Sequence, residues 1–304
     1  MTFFHKDKDL AHLGYQILDN TWTAFPQLSQ DQVALTWVVY DPPIWVNTGG
    51  ALSAEEFWKH PVRGFEYRGK QAIAPAHLVT LFYLVAIYEW LETGMALPSA
   101  ELERAIQDMI RDRNPDATSL VLDVLTGTTS GPTFSGGPFE TWKSQRNIVN
   151  RYFQSLGWPE LESINVNQKN WTYGAYGRDR LFLGPQMENQ NRLTTNATAR
   201  LLHSIIGGVA VSSKSSQEMM ALMRQKIDPN LDSILGFLGQ GLPPTAALWS
   251  KSGLMGTLRH ESAYIEMGDN LRPYLLVIFT EQSQNVHLLP FISQQVVAAM
   301  GNLA

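Results

Sequence analysis

Residues 73–94 read IAPAHLVTLFYLVAIYEWLETG, and this stretch decides how the rest of the chain is interpreted. Its apolar residues recur at helical spacing between Pro75, which suits a helix start, and Gly94, which suits a helix end. The pattern predicts a long buried helix. Its first turn carries His77 and Thr80, three residues apart on one face. These two side chains leave two interpretations open: a functional site, or simply the start of a helix.

The composition limits the classes of function. The chain has 304 residues, with 23 basic and 28 acidic side chains and no Lys/Arg block, so nucleic acid and anionic membrane surfaces are not expected partners. The absence of cysteine excludes disulfides, thiolate nucleophiles and cysteine-based metal centres. The seven histidines form no H-x-x-x-H or H-E-x-x-H pair, so we expect no metal site and no cofactor.

The sequence favours a cytoplasmic location. Charges at residues 6–9 interrupt the apolar run that a secretory signal would need. The most apolar stretch, residues 78–91, is shorter than the ~20 residues that a membrane span requires.

Apolar spacing predicts helices and β-branched or aromatic runs predict strands along the whole chain. Strands are expected at 33–41, 64–71, 246–256, 259–268 and 274–282. Helices are expected at 8–22, 73–94, 98–113, 116–127, 138–158, 194–208, 215–227, 231–239 and 288–304. Two loops are expected as well, a flexible one at 126–138 and a long ordered surface loop at 160–193.

This order of elements predicts the domain organisation. Helix and strands at both ends enclose a helical middle, which is typical of a discontinuous layered domain with an insertion. We expect residues 1–72 and 240–304 to form the α/β domain and residues 73–239 to form an all-α domain.

Three segments carry a resemblance to a known family. They read PAHLVTLFYLVAIYEWLETG at 75–94, DRNPDATSLVLDVLTG at 112–127 and WSKSGLMGTLRHESAYIE at 249–266. They resemble the nucleophile helix, the S-D-N segment and the K-T-G strand of the class A β-lactamase and penicillin-binding-protein superfamily of serine hydrolases. Residues 191–205, NRLTTNATARLLHSI, resemble the helix that follows the Ω-loop of that family.

The resemblance implies a fold. It is the α+β, β-lactamase/transpeptidase-like fold, in which an antiparallel sheet is flanked by N- and C-terminal helices and an all-α domain is inserted. The resemblance also implies an active-site-like cleft between the two domains.

The family's serine and lysine are replaced at the first motif. Alignment on the nucleophile helix puts His77 at the serine and Thr80 at the lysine. A threonine hydroxyl is not a base near neutral pH, and an imidazole that lacks a hydroxyl or thiol partner is not half of an acyl-transfer system. The simplest expectation for Thr80 is a buried hydroxyl bonded back to its own helix.

The second motif lacks its serine in both registers. One register places Arg113, Asn114 and Pro115 at S-D-N, and a register shifted by one begins at Asp112 and keeps only the asparagine. For the general base of the Ω-loop, the nearby carboxylates Asp179 and Glu188 do not lie in an E-x-x-L-N pattern.

The third motif is retained as Lys251, Ser252 and Gly253. Arg259 and His260 follow where the family often places a cation that faces the substrate carboxylate. These five residues are the predicted ligand-binding set, for a small carboxylate-bearing or peptide-like ligand.

Two structural interpretations compete with a ligand-binding role for these residues. Lys251 could instead be an edge-strand lysine that deters pairing. His260 and Glu261 are adjacent, so they should point to opposite faces of a strand and not serve one site.

These residues leave three hypotheses. The first is a catalytically degenerate protein that acts as a binding or regulatory module, with a small ligand or a protein partner. The second is an active amidase, esterase or peptidase with a shifted nucleophile such as Ser252 or Ser130. The third is a structural protein whose cleft is closed by the His77 side chain.

Overall fold

The computed structural model describes residues 2–42, 52–228, 236–268, 271–281 and 285–303. The chain forms two compact units. The sheet unit comprises residues 1–71 and 195–304, and the helical unit comprises residues 72–194.

The sheet unit is built on seven strands in the order β1-β3-β2-β7-β6-β5-β4. Their bounds are β1 Phe4–Lys6, β2 Val33–Val39, β3 Val62–Tyr67, β4 Arg224–Gln225, β5 Ala247–Met255, β6 Leu258–Glu266 and β7 Tyr274–Thr280. All five expected strands are confirmed, and the two short strands β1 and β4 were not predicted. The pairing is antiparallel except for β1, which pairs with β3 in parallel.

Helices cover both faces of this sheet. Those of the sheet unit are α1 Lys8–Ala24, α2 Ala54–Phe57, α9 Thr195–Ile206, α10 Ser213–Met223 and α11 Leu288–Met300. The core face carries Trp37 and Ile278, which pack with apolar residues of α1 and α11. The opposite face carries Thr36, whose hydroxyl bonds the Thr195 and Asn196 side chains of α9. Because successive strand residues alternate between faces, the register assigns every strand residue to one face or the other.

The helical unit contains α3 Thr80–Glu92, α4 Ala100–Arg111, α5 Pro115–Thr126, α6 Gly137–Arg146, α7 Ile148–Ser155 and α8 Gly177–Leu183. Capping residues explain where its helices begin and end. The Ser99 hydroxyl accepts a hydrogen bond from the Leu102 N–H at the start of α4, as expected of an N-cap. Gly127 ends α5 in the left-handed conformation, with φ +61°. No helix in the described part of the chain is long and apolar enough to cross a membrane.

Residues 73–94 do not form one continuous helix. Ile73 pairs with Leu193 in an isolated β-bridge, and residues 76–79 form a 3₁₀ turn before α3 begins at Thr80. Ala76 has φ +50°, a conformation that a continuous right-handed helix does not contain. His77 therefore lies in the 3₁₀ turn and Thr80 is the first residue of the α-helix.

The prediction of a surface loop at 160–193 is wrong for much of its length. Val166, Asn167 and Leu193 are fully buried, and α8 lies inside the segment. Asparagine side chains explain the difference, because they bond the backbone of the loop and allow it to be buried.

The units divide at residues 194 and 195, whereas the sequence predicted a boundary at 239. Helix α9 packs on β2, β6 and β7, and α10 packs on β5, so both helices belong to the sheet unit. Of the helix expected at 231–239, residues 231–235 lie outside the described residues, and a 3₁₀ turn covers 238–241.

The buried histidine of α9 predicts an acid-dependent loss of stability. Burial, with a smaller effect of nearby Arg200, lowers the pKa of His203 from 6.5 to about 3, and a 3.0 Å hydrogen bond joins its Nδ1 to the Tyr40 hydroxyl. The unfolded chain therefore binds one proton more than the folded chain between pH 6.5 and about 3. Stability is retained above this window and falls through it by up to about 1.4 kcal/mol per pH unit.

His203→Gln should reduce that slope, since glutamine keeps an acceptor for Tyr40 but does not titrate. Denaturant unfolding at a series of pH values between 7 and about 4 measures the slope. The matched control is His12→Gln at an exposed position of α1. An unchanged slope in the His203 variant would contradict the assignment.

Candidate functional site

The turn before α3 holds the first predicted pair. The Thr80 side chain is fully buried, and its hydroxyl donates a 2.8 Å hydrogen bond to the backbone carbonyl of His77. This bonding back to its own turn is the arrangement expected from the sequence. His77 is half-buried and follows Ala76, whose positive φ is uncommon for a residue other than glycine. Backbone strain of this kind clusters at functional positions.

The second motif lies at the start of α5. The Asn114 side-chain oxygen accepts hydrogen bonds from the backbone N–H groups of Asp116 and Ala117, at 2.8 and 3.1 Å. Asn114 is thus the N-cap of α5. Arg113 has φ +57°, and Asp112 ends α4 with its N–H bonded to the Asp108 carbonyl. The oxygen of Asn114 is therefore already used to satisfy the helix start.

The third motif lies on β5, and strand pairing splits the predicted ligand-binding set. Lys251 is opposite Ser262, and Gly253 is opposite His260, on the sheet face that α9 covers. Ser252 lies on the opposite, core face, as does Arg259 of β6. The sheet therefore brings Lys251, Gly253 and His260 to one face and places Ser252 and Arg259 on the other.

Lys251 is 2% exposed, which is uncommon for a lysine. A side chain so deeply buried is not a solvent-exposed edge charge, so the edge-strand interpretation of this residue does not fit. The burial of its ammonium is the strongest mark of a ligand-contacting or tightly paired position on this strand.

Strand pairing places Glu261 on the core face and His260 on the other face, which confirms the alternation expected from their adjacent positions. The Arg259 guanidinium lies over the Phe237 ring at 5.0 Å and bonds the Gly236 carbonyl. On the other face, His260 Nδ1 accepts a 3.1 Å hydrogen bond from the backbone N–H of Thr280. Its Nδ1 is therefore an unprotonated acceptor, and any proton that His260 donates comes from Nε2.

Residues 165–192 form a loop whose two ends are hydrogen-bonded to each other. The backbones of Asn165 and Arg192 exchange two hydrogen bonds of 2.8 and 2.9 Å, which bring the loop ends together. The Asn191 side-chain oxygen accepts from the N–H groups of Asn167 and Gln168 at 3.0 and 2.9 Å. The sequence shows that asparagine is frequent in this loop, but it does not show which asparagine side chains bond which backbone groups.

The two carboxylates of this loop are not placed as a general base. Asp179 is buried, with one carboxylate oxygen 3.3 Å from the Arg146 guanidinium. Glu188 is exposed and accepts a hydrogen bond from the Gln186 N–H at 2.9 Å. Sequence reasoning missed the charges that surround Asp179, namely Asp123, Arg146 and Lys169, because isolated charges in helices and loops give no signal of burial.

Within the described residues, no group of three or more histidine or acidic side chains is arranged to hold a metal ion.

Comparison with solved structures shows the fold. A mutant of PBP-A, solved as an acyl-enzyme complex with penicillin G, is 17% identical with a TM-score of 0.66, and the match covers 98% of each chain. A β-lactamase from Sphaerobacter thermophilus is 16% identical with a TM-score of 0.62, covering 95% of this chain and 98% of that one. A β-lactamase from Chitinophaga pinensis is 12% identical with a TM-score of 0.64, covering 96% of this chain and 100% of that one.

The sequence itself gives the family. No curated protein matches the chain. The model of the beta-lactamase enzyme family matches residues 143–302, which is more than half of the sequence. Together with the α+β fold and its seven-stranded sheet, this match shows that the chain belongs to the beta-lactamase enzyme family.

Proposed function

We propose that this protein is a catalytically degenerate member of its family, which keeps the fold and acts as a binding or regulatory module. The observation that carries the proposal is the hydrogen bond from the Thr80 hydroxyl to the His77 carbonyl, at the positions where the family would carry lysine and serine. A cytoplasmic location is part of the same proposal.

Acyl transfer needs a nucleophile and a base that takes its proton. The Thr80 hydroxyl is a donor to a backbone carbonyl and cannot accept a proton near neutral pH. His77 has no hydroxyl or thiol of its own, and the chain contains no cysteine. The pair can therefore fill space and make hydrogen bonds, but it cannot form an acyl-enzyme at these positions.

The other two proton-transfer positions support the same conclusion. Asn114 caps α5, and neither register of this motif supplies a serine that could pass a proton to the leaving group. In the 165–192 loop, Asp179 is held by Arg146 and Glu188 faces solvent. A base for deacylation would have to be free to accept a proton from water.

The binding part of the proposal rests on Lys251. A buried ammonium on the face that also holds Gly253 and His260 suits recognition of a carboxylate by a charge-assisted hydrogen bond. We propose a small carboxylate-bearing or peptide-like ligand, or the acidic end of a protein partner, as the group that Lys251 recognises.

The alternative of a shifted nucleophile has less support. Ser252 lies on the core face, away from Lys251 and His260. Its cross-strand partner on that face is Glu261, whose carboxylate already accepts a 2.6 Å hydrogen bond from the Leu238 N–H. The Ser130 hydroxyl is buried and bonds no other group among the described residues, so no base there activates it. The alternative would be supported if the unmodified protein hydrolysed ester or amide substrates and Ser252→Ala or Ser130→Ala abolished that hydrolysis.

A restoration experiment tests the proposed degeneracy. His77→Ser combined with Thr80→Lys should introduce covalent acylation by a β-lactam, measured as an increase in intact mass, because it supplies the nucleophile and the base that the family carries at these positions. His77→Ser alone is the matched control and should stay inactive, since the hydroxyl then lacks a base. Folding of both variants is checked by circular dichroism and thermal unfolding.

Two outcomes would overturn the proposal. One is turnover by the unmodified protein above the rate in buffer. The other is a correctly folded double variant that a β-lactam does not acylate, which would show that residues 77 and 80 do not occupy the positions of the catalytic pair.

A further inference from the structure

Four charged residues of the helical unit meet in its interior. Asp123 of α5, Arg146 of α6, Lys169 of the 165–192 loop and Asp179 of α8 come from separate segments of the chain. Arg146 Nη2 lies 3.3 Å from Asp179 Oδ1, and Lys169 Nζ lies 2.8 Å from Asp123 Oδ2. Two cations and two carboxylates leave the cluster without net charge.

The cluster is removed from bulk solvent. Arg146 and Asp179 side chains are each 1% exposed, Lys169 is 6% exposed, and only Asp123 reaches 23%. Burial raises the pKa of the Asp123 carboxyl and lowers the pKa of the Arg146 guanidinium. Such charges are stable inside a protein only when their remaining hydrogen-bonding capacity is satisfied.

The protein itself does not satisfy that capacity. Within the described residues, Asp123 Oδ1, Asp179 Oδ2 and Arg146 Nε and Nη1 are buried and bond no protein atom. Arg146 Nη1 lies 3.6 Å from Asp123 Oδ1, which is too long for a hydrogen bond.

Two neighbouring hydrogen-bond donors already bond backbone carbonyls. The Tyr83 hydroxyl donates to the Gln168 carbonyl at 2.7 Å. The Trp142 ring lies 4.7 Å from the Arg146 guanidinium, and its N–H donates to the Thr129 carbonyl. Neither group can complete the hydrogen bonds of the two carboxylates.

We propose that this cluster is a binding site for internal water. The site needs a donor for Asp123 Oδ1 and Asp179 Oδ2 and an acceptor for Arg146 Nε and Nη1, and water is small enough and provides both. A metal ion would satisfy the carboxylates but repel the adjacent guanidinium and ammonium. An anion would satisfy the guanidinium but repel both carboxylates.

The bound water has a structural consequence for the 165–192 loop. The water joins the charged side chains of Asp123 on α5 and Arg146 on α6, which contact Lys169 and Asp179 of the loop. The N–H groups of Asn167 and Gln168, which bond the Asn191 side chain, lie directly before Lys169 in the chain. We expect their protection from solvent exchange to depend on the cluster.

A crystal structure of the full chain that shows ordered water tests the site. We expect water within about 3.2 Å of Asp123 Oδ1 or Asp179 Oδ2 and of an Arg146 nitrogen. Side chains that have moved to bond one another directly, or an ion at the site, would overturn the proposal.

Hydrogen–deuterium exchange tests the consequence. Arg146→Met should raise the exchange rate of the Asn167 and Gln168 amides by about a hundredfold, because it leaves buried carboxylates without their cation. Glu188→Gln, an exposed carboxylate of the same loop, is the matched control and should change nothing. If Arg146→Met does not fold, Arg146→Lys keeps the charge and should give a smaller increase. Exchange rates equal to the control in the folded variant would overturn the dependence.

Discussion

Pairing between β2 and β7 is the constraint on which the rest of the structure depends. Seven residues of β2, from Val33 to Val39, pair in register with β7, from Thr280 to Tyr274, so the two ends of the chain share the middle of one sheet. Both strands are buried along their whole length. Residues 72–194, which lie between these two strands in the chain, form a separate compact unit inserted into the sheet unit.

The same sheet separates core positions from the positions at which we propose that a ligand binds. One face packs with α1 and α11 around Trp37, and it also takes Ser252 and Arg259. The other face, under α9, takes Lys251 and His260. Three consecutive residues on a strand point to alternating faces of the sheet. The three residues of the K-T-G-like motif therefore do not all face one ligand.

The sequence predicted those parts of the fold that depend on local pattern. β-branched and aromatic runs gave the five main strands, and Ser99 and Gly127 marked helix ends through their own chemistry. Features that depend on distant contacts were missed. Nothing in the identity of Ala76 predicts its positive φ, and the buried amides and charges around Asn191 and Arg146 become visible only when their partners are known.

Family membership and activity are separate questions, because one scaffold can carry different sites or none. This chain belongs to the family, and we propose that its turn at residues 77–80, where the Thr80 hydroxyl bonds the His77 carbonyl, stands in place of the family's catalytic pair. The most direct measurement is the intact mass of the unmodified protein after incubation with penicillin G. We expect no change in mass. A stable increase equal to the mass of the β-lactam would contradict it.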